Sequence, residues 1–147
     1  MIDKLKEISF YIVIALVITG FSKWIESDFL NKYLDENLIT LLIALLAINT
    51  TTSSVVMTKL KEIADETGGN FSNTIVQLKH SIYEQIIYII IAVIVLVLSG
   101  SKKVVSIHAY SDFILDVLLV AVFSAAMYTL FDTAKSIFVI LRYENKN

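Results

Sequence analysis

The stretch Gln85–Ser101, QIIYIIIAVIVLVLSGS, holds no charged residue and little that is polar. A run of that length limits the fold more than any other feature of the chain. A helix crosses the roughly 30 Å hydrocarbon core of a bilayer with about 20 such residues. Leu38–Thr58 is likewise free of charge. Ile8–Ser22 lies between Glu7 and Lys23, and Lys6, Lys23 and Trp24 all suit the membrane interface. Phe113–Phe131 carries Asp116 and is followed by Asp132. At 1.5 Å per residue these carboxylates stand about 24 Å apart, close enough to opposite edges of the core.

The chain therefore reads as an all-α integral membrane protein. It forms one membrane domain over residues 1–147, with spans at about 7–25, 37–58, 84–101 and 112–134. Composition agrees, with 56% hydrophobic and 18% charged residues, against about 45–50% and 25% in soluble domains. The net charge of −2 points to no polyanionic partner. There are no cysteines, which excludes disulfides and thiolate metal sites, and no prolines, which leaves every helix free to run unbroken. Lys4 and Lys6 before an apolar run resemble a signal peptide, but the following GFSKWIESDF is bulky and charged, so the run is expected to remain as the first span.

Lysine and arginine set the orientation. Lys4, Lys6, Lys59, Lys61, Lys79, Lys135, Arg142 and Lys146 fall on the side of the termini, and Lys23, Lys32, Lys102 and Lys103 on the other. Both termini are expected in the cytoplasm of a bacterium, the protein being multi-pass in its inner membrane. A cytoplasmic helical hairpin at about 59–84 then extends spans two and three. Gly68-Gly69-Asn70 is its stop signal, and Ser72 or Asn73 offers the next N-cap. Leu60, Ile63 and Ala64 can oppose Ile75, Leu78, Ile82 and Gln85 across a seam. Lys59, Lys61, Lys79 and His80 are the candidate contacts for a regulator, although Glu62, Asp65, Glu66 and Glu84 interleave with them.

Inside span two, Asn49-Thr50-Thr51-Thr52-Ser53-Ser54 interrupts the apolar run. At 100° per residue the run does not make one polar face. Thr40, Ala44, Ala47, Thr51, Ser54 and Thr58 form a stripe of small or hydroxyl-bearing residues, the expected helix-packing seam. Asn49 and Ser53 lie on the other side, beside Thr52. Asn49 is either interhelical glue or part of a water-filled path, and Asn49, Ser53, Thr52 and, less favoured, Thr51 are the pore candidates. With both faces of span two rejecting lipid, the expectation is a homo-oligomer, a tetramer, with span two nearest the axis and the bulky span three facing lipid. In span four, Ala121 and Ala125 extend the packing seam. Asp132 can pair with Lys135, while Asp116 has no partner on its own helix; both are candidate mouth carboxylates.

Catalytic chemistry is missing. His80 and His108 fall on opposite sides of the membrane, and no metal-binding, phosphate-binding or nucleophile–base motif is present, so neither an enzyme nor a cofactor is expected. The four-span layout, the hairpin KLKEIADETGGNFSNTIVQLKHSIYEQ and the tail LRYENKN resemble, as architecture, the small bacterial anti-phage membrane effectors of the lambda phage-exclusion and Hailong-system kind. That resemblance implies an oligomeric ion channel held silent by a cytoplasmic partner, protein or nucleic-acid oligomer, and opened on infection to depolarise the membrane. The reading set against it is a non-conducting membrane anchor or structural subunit whose polar stripe only packs helices.

Overall fold

The computed structural model describes the backbone of residues 2–106 and 110–144, and the side chains of 6–104, 106 and 110–136. His108 and Arg142 are therefore outside the described side chains. All regular structure among the described residues is helical: α1 (Ile2–Trp24), α2 (Phe29–Thr67), α3 (Ser72–Ser99), a short α4 (Lys102–Val105) and α5 (Ser111–Glu144). Four of these helices are long and apolar enough to cross a membrane. The described residues thus form an all-α fold with four candidate membrane-spanning helices.

The α2 helix starts about two turns before the span expected from hydropathy. Asp35 and Glu36 end the apolar run but do not end the helix, because carboxylates are tolerated in helix interiors and no proline or glycine intervenes. Its other end is decided by Gly68, which takes the left-handed φ of 69° and donates its N–H to Ala64 O at 2.9 Å. Gly68→Ala is expected to destabilise the hairpin by about 1 kcal/mol, because the added Cβ disfavours that backbone conformation. Equilibrium unfolding in mixed micelles measures it.

The start of α3 differs from expectation in detail. Ser72 is the first helical residue, and Phe71 holds the cap position without a side-chain bond. The cap chemistry comes from one step earlier: Asn70 Oδ1 accepts from the Ser72 N–H at 3.0 Å and from Ser72 Oγ at 2.6 Å. An amide two residues ahead does what a side chain at the cap position would do.

The α5 helix is the centre of the bundle. It packs against α1, α2 and α3, while α2 also packs along α3 and α1 makes its main contacts with α5. In its most apolar window, 44% of α5 is buried, against 22% for α1 and α2 and 17% for α3. Its sequence explains the role: Ala121, Ala125 and Ala126 let neighbours approach closely, and Leu115, Leu119 and Val120 fill the space between. Against them lie Leu34, Leu38 and Leu42 of α2, Ala15 of α1, and Ala92 and Val95 of α3. One face of α3 points outward, with Ile87, Ile90, Ile94 and Val97 exposed. A second, smaller cluster of Val56, Leu60 and Leu78, with Ile75 and Phe71 against it, joins the two arms of the hairpin.

Candidate functional site

The long α2 helix presents two unlike faces. Leu34, Leu38, Leu42, Asn49, Ser53, Val56 and Leu60 are buried against the protomer's own helices. On the opposite side, Thr40, Ala44, Ala47, Thr51, Ser54 and Thr58 are all exposed, and Thr52 is half-buried between the two. Three hydroxyls of the exposed stripe turn back on their own helix: Thr51 donates to Ala47 O at 2.9 Å, Ser54 to Thr50 O at 2.8 Å and Thr58 to Ser54 O at 3.1 Å. Of the residues read as the path side, Asn49 and Ser53 thus lie inside one protomer, while Thr51 is on the exposed stripe. Of those read as the packing seam, the α2 residues are left uncovered by the protomer, whereas Ala121 and Ala125 of α5 are buried in it.

The buried face of α2 meets polar residues of α3 and α5 at one height. Asn49 Nδ2 donates to Ser81 Oγ at 3.3 Å, and Ser81 donates to Leu78 O at 2.8 Å. Thr133 Oγ1 stands 3.3 Å from Ser81 Oγ and 3.1 Å from the Thr129 carbonyl. Gln85, one turn along α3 from Ser81, is 1% exposed. Asn49 Oδ1, Ser53 Oγ and both amide atoms of Gln85 have no partner. Gln85, Ser81, Thr129 and Thr133 escaped the sequence reading of the site. Their signal was faint: a lone glutamine at the start of an apolar run, and hydroxyls of a kind that commonly bond their own helix.

A second polar layer lies toward the other end of the bundle. Asp116 on α5 accepts from Asn31 Nδ2 of α2 at 2.8 Å, and Lys23 Nζ of α1 stands 3.4 Å from the same oxygen. Asp116 therefore has partners on other helices, and its side chain is only 14% exposed. It is enclosed by the protomer. Asp132 is different: it is exposed, and no ion pair with Lys135 forms among the described residues. From Asn31 to Asn49 along α2 is about 27 Å, and from Asp116 to Thr133 along α5 about 26 Å. Between these layers the exteriors of α1, α3 and α5 are mainly apolar, whereas α2 exposes Lys32, Asp35 and Glu36 close to Asn31.

The hairpin-side layer opens to a cavity of about 450 Å³ lined by Glu7, Tyr11, Gln77, His80, Ser81, Glu84, Tyr128, Thr129 and Asp132. Beside it, an apolar groove of about 370 Å³ runs between α1 and α3, with Ala121 and Ala125 among its lining. Lys59, Lys61, Lys79 and His80 are exposed on the hairpin, where Lys59 pairs with Glu62 at 2.7 Å. Among the described residues no group of three or more His, Cys, Asp or Glu is placed to hold a metal ion. Comparison with family models, curated proteins and solved structures finds no match to the chain.

Proposed function

We propose that this chain is a homo-oligomeric, ion-conducting membrane effector whose protomers meet across the outward face of α2. One observation carries the reading: the protomer buries the leucine-rich face of α2 that holds Asn49 and Ser53, and leaves the opposite stripe of small residues, Thr40 to Thr58, uncovered. Small residues suit close contact between helices in lipid. In a tetramer the exposed stripe would turn toward the axis, so that Thr40, Thr51 and Ser54 replace Asn49 and Ser53 as the hydroxyl-bearing wall.

The apolar exteriors of α1, α3 and α5 between the two polar layers, about 26 Å deep along α5, suit the hydrocarbon core of a bilayer, with the exposed Lys32, Asp35 and Glu36 of α2 toward its far edge. With the bilayer there, Asn49 stands at the membrane edge rather than the midplane. The hairpin then projects about 27 Å further, from Asn49 to Thr67. The balance of lysine and arginine favours the cytoplasm of a bacterium for this end. A protein or nucleic-acid oligomer bound at Lys59, Lys61, Lys79 and His80 would hold the pore silent until phage infection removes it.

The cysteine-free chain makes the test direct. Ala47→Cys or Thr51→Cys is expected to cross-link into dimers under mild oxidation in membranes, whereas Val97→Cys, 68% exposed on α3, is not. Expression with a potential-sensitive dye is expected to show depolarisation during infection, and Ala47→Leu, which fills the axis, is expected to abolish it. Absence of cross-linking sinks the assembly. Cross-linking without ion flux leaves the second reading, a non-conducting membrane anchor. One observation favours that alternative: the hydroxyls of Thr51, Ser54 and Thr58 already donate to their own helix.

A further inference from the structure

The polar layer at the hairpin end contains an anomaly. Asn49, Ser53 and Gln85 are each at most 1% exposed, yet Asn49 Oδ1, Ser53 Oγ and the whole Gln85 amide lack partners. Buried polar groups are satisfied in folded proteins by protein, water or ions, and a group of such orphans on or within one turn of the Asn49–Ser81 hydrogen bond calls for an occupant. Asn49 and Ser53 are one turn apart on the buried face of α2, and Ser81 and Gln85 are one turn apart on α3. The Asn49–Ser81 hydrogen bond ties the two pairs together, and Thr133 joins from α5.

We infer that this layer is a binding site for a monovalent alkali cation, reached through the cavity between α1, α3 and α5. The unpartnered atoms include amide and hydroxyl oxygens, the neutral donors that replace the hydration shell of an alkali ion. Ser81 is shared: it bonds Asn49 in the layer and also lines the cavity of about 450 Å³. That cavity carries Glu7, Glu84 and Asp132 on its wall, so cations are concentrated and anions repelled at the approach. A divalent ion is a poorer fit. The buried layer holds no carboxylate to offset a second charge, and no acidic or histidine cluster of metal-binding form exists among the described residues.

The site is independent of whether the protein conducts, since it is read at equilibrium without a gradient. Purified full-length protein in nanodiscs is heated in potassium, sodium or choline chloride at one ionic strength. The expected result is a melting temperature higher by roughly 5 °C in one alkali chloride than in choline. Gln85→Leu and, as a milder change, Ser53→Ala are expected to erase the difference while remaining folded in choline. Glu7→Gln is expected to raise the alkali concentration needed for half the shift several-fold. Equal melting in all three salts overturns the site and leaves buried water as the occupant. So does an alkali effect that both Gln85→Leu and Ser53→Ala retain. Neither outcome touches the pore proposal, which stands or falls on cross-linking and flux.

Discussion

Leu38→Ala is expected to destabilise the bundle by about 2–4 kcal/mol, and Val97→Ala by less than about 0.5 kcal/mol. Both remove apolar side-chain atoms from helices of similar hydropathy, so hydropathy alone predicts no such contrast. Leu38 is fully buried where α2 meets the central helix, next to Leu34 and Leu42, while Val97 is 68% exposed on α3. In a bilayer, moving an apolar side chain between lipid and protein gains little by itself. The loss at Leu38 comes instead from the cavity and from the dispersion contacts its neighbours forfeit. At Val97, lipid fills the space. Equilibrium unfolding in mixed micelles measures both, and equal losses would show that the inward and outward faces are misassigned.

Asp116→Leu is expected to cost about 2–3 kcal/mol, with Asp116→Asn losing clearly less. The carboxylate serves Asn31 and Lys23 together, at 2.8 Å and 3.4 Å. Asn31 is 7% exposed and its Oδ1 has no partner, so losing Asp116 would remove the one hydrogen bond described for that amide. Lys23 is 46% exposed and can turn to solvent, which keeps the cost below that of a fully buried pair. Asparagine at 116 can still accept from Asn31, hence the smaller effect. A double-mutant cycle of Asp116→Leu with Asn31→Leu separates the two contributions: a coupling energy near zero would mean that Asp116 acts only as an interfacial charge.

The helices themselves were plain in the chain. Four long apolar runs without proline, and a Gly68-Gly69-Asn70 stop, leave little else for the backbone to do, because hydropathy and left-handed glycine are local properties. The helix boundaries were less plain. Asp35 and Glu36 interrupt hydropathy without interrupting the helix, and the capping amide of Asn70 acts from outside it. For α2 the angular repeat alone separated Asn49 and Ser53 from the Thr40–Thr58 stripe.

Which of those faces turns inward was decided only by the tertiary structure. A helical wheel is blind to neighbours, and both faces offer side chains that can pack, hydrogen-bond or meet water. The choice follows from α5, whose alanines admit α1, α2 and α3 closely and whose Thr133 meets Ser81 at the height of Asn49. The same packing gave Asp116 its partners on α1 and α2, both more than 80 positions away. The sequence by itself determined the number and apolar character of the long helices. Their pairing turned Asn49 into part of a buried layer and left the small-residue stripe uncovered, because contacts between distant helices depend on relative position rather than on local pattern.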